Sequence, residues 1–66
     1  MNIDLKEQRN QKKLTQSELA KKIGTTRPTI TRYETGARRP SVNVAKKIAD
    51  VLGFDWTLFF EDQKRQ

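Results

Sequence analysis

The sequence predicts an all-α fold, a single compact domain of five short helices without strands. Three observations carry that expectation. Apolar residues recur at helical spacing in several short windows, as at Leu19, Ala20 and Ile23, and again at Val44, Ala45, Ile48, Ala49 and Leu52. Helix punctuation separates the windows: Thr15, Thr26, Ser41 and Asp55 can open helices, and Gly24, Gly36 and Gly53 can close them. Finally, 66 residues suffice for one core, only just large enough to fold without staples. No repeat, low-complexity tract or interdomain linker interrupts the chain, so residues 1–66 read as one domain.

The first helix is expected over 2–13, capped by Asn2 or Asp4, with Ile3 and Leu5 inward. Its apolar stripe is thin, because Gln8 and Lys12 stand where apolar residues would help, and Leu14 fills the gap to the next helix. Lys13 occupies a terminating position that favours glycine or asparagine. The second helix, 16–23, opens on a Thr15-x-x-Glu18 capping box and stops at Gly24, which takes positive φ at little cost. Thr25 and Thr26 offer a fresh N-cap within two residues. Pro28 then falls in the first turn of a helix over 27–35, where its missing N–H is no loss, and Ile30 and Tyr33 turn inward. Two helices joined by so short a turn cross steeply, which is the shape of a helix-turn-helix. After the loop Ala37-Arg38-Arg39-Pro40, Ser41 caps a helix over 42–52. Gly53 ends it, Phe54 plugs the core, and a last turn or two spans 56–61 before a frayed tail, 62–66.

Composition narrows the chemistry. With no histidine and no cysteine, the chain lacks the usual general base, the thiolate nucleophile and the commonest metal ligands, so no catalytic, metal or cofactor site is expected. Asp4 with Glu7, and Glu61 with Asp62, read as surface charge. No apolar run approaches the ~20 residues needed to cross a bilayer, and no signal-peptide pattern opens the chain, so a cytoplasmic location is expected. The net charge is +6, and residues 1–40 carry all of the excess: ten Lys/Arg against four Asp/Glu, whereas 41–66 hold four of each. A basic half beside a neutral half fits a polyanion-binding surface backed by a packing or pairing surface. The outer face of the third helix, with Arg27, Pro28, Thr31 and Arg32, is basic and hydroxylated and has no acid before Glu34.

Leu14-Thr15-Gln16-Ser17-Glu18-Leu19-Ala20, Ile23-Gly24 and Thr29-Ile30-Thr31-Arg32-Tyr33-Glu34-Thr35-Gly36 together resemble the Cro/repressor-type helix-turn-helix DNA-binding proteins of phages and bacteria. Arg39-Pro40-Ser41 and Ile48-Ala49-Asp50-Val51-Leu52-Gly53 continue the likeness, which runs from about Leu5 to Phe60. The resemblance implies the lambda repressor-like DNA-binding fold, with the helix at 27–35 entering the major groove of double-stranded DNA N-terminus first. It implies base contacts from Thr26, Arg27, Pro28, Thr31 and Arg32, with Arg27 reading guanine O6 and N7. Phosphate contacts would come from Gln16, by side chain and backbone N–H, and from Thr29, Thr35, Arg38, Arg39 and Arg9. It further implies an ion pair between Arg9 and Glu34 that fixes the angle between their helices. Pro28 departs from the hydrogen-bonding side chain that relatives often place there.

Trp56, Leu58, Phe59 and Phe60 crowd four large apolar residues into five positions. One short helix cannot turn all of them inward, so Trp56, Leu58 and Phe60 are expected to supply a homodimer interface. Relatives pair near this point. Two copies would set two recognition helices ~34 Å apart to read an inverted repeat. The reading is therefore a sequence-specific transcriptional regulator, most simply a repressor. A DNA-binding antitoxin or restriction-modification controller with a protein partner shares the same head, and an interaction module using the C-terminal aromatics is the reading from another class.

Overall fold

The computed structural model describes residues 4–60. Four α-helices, α1 (Leu5–Gln11), α2 (Gln16–Ile23), α3 (Arg27–Thr35) and α4 (Val42–Leu52), precede a 3-10 helix, Trp56–Phe60. No strand occurs among the described residues. The expected element order holds, with two corrections at the ends. The first helix begins at Leu5 rather than residue 2 and stops at Gln11 rather than 13, and the last element is a 3-10 helix. Asp4 is the cap of α1, its carboxylate accepting from the Glu7 N–H at 3.1 Å. The expectations for Asn2, Ile3 and the 62–66 tail fall outside the described residues.

Why α1 stops early is visible in its hydrogen bonds. The Lys13 N–H reaches the Asn10 carbonyl at 2.9 Å, and the Leu14 N–H reaches the Arg9 carbonyl at 3.2 Å. These are the paired bonds of a Schellman cap, which needs a left-handed residue between helix and exit. Lys13 supplies it, with φ 58°, and is the one non-glycine with positive φ among the described residues. The sequence conflict at this position is thus a strained but fully bonded turn, costing about 1 kcal/mol relative to glycine. Gly24, at φ 77°, meets the same demand without a Cβ, and the Thr25 N–H closes on the Ala20 carbonyl at 2.8 Å.

At the start of α2 both halves of the capping box are present, Glu18 N–H to Thr15 Oγ1 at 3.0 Å and Thr15 N–H to Glu18 Oε1 at 2.7 Å. The two Thr15 donors, N–H first and hydroxyl second, hold the Glu18 carboxyl below its ordinary range. Helix α2 packs against α3 and α4, α1 against α3, and α4 against the 3-10 helix. The core between them is Leu5, Leu19, Ala20, Ile23, Ile30, Tyr33, Ala45, Ile48, Leu52 and Phe59. Pro40 is fully buried as well, which pins the α3–α4 loop to the body. Phe54 packs half-buried against this core, its ring centre 5.4 Å from that of Phe59. Asp55 closes the final turn by accepting from the Thr57 N–H and hydroxyl at 3.0 and 2.8 Å, which lower its pKa.

Candidate nucleic-acid interface

Burial of Ile30 and Tyr33 fixes the rotation of α3 and decides what it shows to solvent. Arg27, Pro28, Thr31, Arg32 and Thr35 are exposed, Thr29 is half-buried, and Thr26 is exposed at the N-cap. The exposed face carries two guanidiniums, and among the described residues neither Arg27 nor Arg32 has an ion-pair partner. The Thr26 hydroxyl pairs with that of Thr29 at 2.9 Å instead of capping a backbone N–H. Gly36, at φ 82°, turns the chain, and the Arg38 N–H donates back to the Arg32 carbonyl at 3.2 Å. That bond draws the exposed Arg38 and Arg39 to the C-terminal end of the same helix.

The single acid of α3 does not oppose this basic face. Glu34 is turned inward, its side chain only 5% exposed, and meets Arg9 Nε at 2.6 Å through Oε2. Arg9 also donates through Nη2 to Glu34 Oε1 at 3.5 Å and through Nη1 to the Leu14 carbonyl at 2.6 Å. The expected pair is therefore formed, and it joins α1, the α1–α2 loop and α3 at one point. Arg9 itself is 7% exposed with its guanidinium engaged inward, so geometry does not favour the phosphate contact expected of it.

Gln16 is the position where the geometry departs most from expectation. Its Nε2 donates to Glu34 Oε1 at 2.8 Å, and its Oε1 accepts from the Thr31 hydroxyl at 3.0 Å. Both polar ends of the side chain thus serve contacts within the protein, so what Gln16 offers a phosphate most freely is its backbone N–H. With Glu18 N–H capped by Thr15, the N–H groups of Gln16 and Ser17 have no partner among the described residues. No sequence signal could have found the Gln16 contacts, which cross 15 and 18 positions and depend on α2 packing against α3.

In the 3-10 helix, Trp56, Leu58 and Phe60 are all half-exposed. Trp56 and Phe60 pack against the core and meet edge to face, with ring centres 6.0 Å apart. The Lys46 ammonium lies 5.1 Å over the Trp56 ring, a cation–π contact that the sequence did not flag. Among the described residues, no group of three or more acidic side chains could hold a metal ion, and no helix is long and apolar enough to cross a membrane.

Comparison with known proteins agrees with this geometry. A helix-turn-helix family profile matches residues 5–59. A Bacillus subtilis (strain 168) protein named as the HTH-type transcriptional regulator YqaF is 53% identical over 58 residues, 88% of this chain and 76% of that protein. A second protein of the same organism, named as the HTH-type transcriptional regulator YqaE, is 47% identical over 49 residues, and the match covers 42% of its length. A Methanothermobacter thermautotrophicus protein, also named as an HTH-type transcriptional regulator, is 45% identical over 49 residues and is covered over 71% of its length. With nearly all the described residues inside the match and the two crossing helices formed as the motif requires, the chain belongs to the Cro/repressor-type helix-turn-helix family of DNA-binding transcriptional regulators.

Proposed function

We propose that the chain is a sequence-specific regulator that binds an inverted-repeat operator as a homodimer, most simply as a repressor. The observation that carries this reading is the outer face of α3, where Arg27 and Arg32 stand exposed while the helix's one acid is neutralised inside by Arg9. Such a face enters the major groove with no like charge to oppose the phosphates. Arg27 reads guanine, while Thr26, Pro28, Thr31 and Arg32 line the neighbouring bases. The N–H groups opening α2, with Thr29, Thr35, Arg38 and Arg39, hold the backbone on either side and set the register.

Pairing through Trp56, Leu58 and Phe60 gives the two heads their spacing. Their partial exposure supports this, because each leaves apolar surface that the small core does not cover. The test is selection of bound sequences from a random DNA pool at about 150 mM salt. The expected result is an inverted repeat with half-site centres about 10–11 base pairs apart. Binding that lacks any enriched sequence and vanishes as salt rises would overturn the reading. Sedimentation of a Leu58→Asp variant checks the pairing surface separately, with a monomer expected.

A further inference from the structure

Proton bookkeeping through the α1–α2–α3 junction fixes the direction of every hydrogen bond in it. Arginine can only donate, so both Glu34 oxygens that face Arg9 accept from it. A carboxylate can only accept, so the amide edge that Gln16 turns to Glu34 must be its NH2. The carbonyl of Gln16 then faces Thr31, and the Thr31 hydroxyl must donate to it. The same hydroxyl lies 3.3 Å from the Arg27 carbonyl one helical turn back, so both acceptors around its single hydrogen belong to the protein. Thr31 is nonetheless exposed, in the middle of the face that carries Arg27 and Arg32. The hydroxyl oxygen keeps its acceptor lone pairs but sits against Gln16 Oε1 and the Arg27 carbonyl, which leaves the γ-methyl as the branch of Cβ that carries no hydrogen bond.

We infer that Thr31 is a specificity-determining residue that recognises the 5-methyl group of a thymine by apolar contact, and that Gln16 is the positioning residue that enforces this choice. The inference rests on the proposed DNA-binding reading and names what one position of the recognition helix reads. A threonine with a free hydroxyl can donate to or accept from several bases and discriminates little among them. Held by Gln16, its hydrogen is no longer available to a base acceptor. The thymine methyl is the one apolar group that the major groove offers. Burying a methyl-sized group against it is worth about fourfold in affinity per half-site.

The test uses the operator recovered by selection, synthesised with deoxyuridine in place of each half-site thymine in turn, a change that removes only the 5-methyl. Wild-type protein is compared with Thr31→Val, which keeps the methyl, and Thr31→Ser, which keeps the hydroxyl. Circular dichroism first verifies that both variants are folded. The expected result is one thymine at which deoxyuridine weakens wild type and Thr31→Val about fourfold per half-site but leaves Thr31→Ser unaffected. Gln16→Ala, which releases the hydroxyl, should reduce that same preference. The inference is overturned if no thymine shows methyl sensitivity in wild type, if Thr31→Ser keeps the sensitivity, or if Thr31→Val loses it. Failure to recover any operator would instead strike the DNA-binding reading itself, and a recovered half-site without thymine would overturn the inference alone.

Discussion

Arg9 and Glu34 sit in different helices, 25 residues apart, and are 9% and 5% exposed at their side chains. Replacing either alone leaves the other charge buried without its partner, a perturbation worth about 3–5 kcal/mol. Loss of Arg9 also strips the Leu14 carbonyl of its donor, which adds about 1 kcal/mol. A domain of this size has about 3–10 kcal/mol of stability in all, at roughly 0.05–0.15 kcal/mol per residue. Arg9→Met should therefore lower the urea midpoint by about 4–6 M, taking an m-value of about 1 kcal/mol/M at the low end of the small-protein range, and so unfold most of the population in water if the domain's stability is near the low end of its range. Glu34→Met should act nearly as strongly, because it also orphans the Gln16 NH2. The double variant replaces the ion pair by apolar side chains and should lose at least about 2 kcal/mol less than the sum of the singles. Urea titration of all four proteins, followed by far-ultraviolet circular dichroism, measures the cycle. Single substitutions costing under about 1 kcal/mol, or an additive double variant, would show that water solvates the junction and that it does not lock α3 to α1.

Three further outcomes follow from the same geometry. Arg27→Ala should weaken operator binding by about 1–3 kcal/mol and relax preference at one base pair, read by competition with operators altered at single positions. Lys13→Gly, which relieves a side chain at φ 58° while keeping both cap bonds, should raise stability by about 1 kcal/mol, and Gly24→Ala at φ 77° should lower it by a similar amount, both in urea titration. Glu18, whose pKa is lowered from 4.5 by the Thr15 cap, contributes stability that is present above that value and lost as pH falls through its lower folded-state pKa. Thermal melts of wild type and Glu18→Gln should thus differ near neutral pH and converge in acid.

Much of this architecture was legible because its signals are local. A capping box, a glycine in the left-handed region and an apolar stripe each involve residues within a few positions of one another. Thr15 with Glu18, Gly24, and the stripe from Val44 to Leu52 all behave as their spacing demands. Even the early end of α1 has a sign in the sequence, the lysine at a glycine position, and the helix stops two residues short of the expected 13. What failed to show was non-local. The Lys46 ammonium over Trp56 and the Gln16 carboxamide between Thr31 and Glu34 exist only once helices have crossed. The buried state of Arg9 belongs to the same class, since a helix pattern gives no reason to turn an arginine inward.

That difference bears on how so small a head would read sequence as proposed. The local signals make helices, and apolar burial brings them together, but neither fixes the rotation of α3 as closely as directed polar bonds do. The junction at Arg9 supplies that precision by a chain of bonds with fixed direction: Thr31 to Gln16, Gln16 to Glu34, and Arg9 to both Glu34 and the Leu14 carbonyl. Each member is unsatisfied if another moves, so the cost of rotating α3 is shared between the buried Arg9–Glu34 pair and the more exposed bonds of Gln16 and Thr31 rather than resting on soft apolar contacts. On the proposed DNA-binding reading, a rigid junction of this kind would let Arg27, Thr31 and Arg32 meet DNA without ordering the helix at the moment of binding, which would preserve affinity in a head with little surface to spend. The same rigidity would make the proposed specificity fragile, because Gln16 and Glu34 hold the outer face without belonging to it.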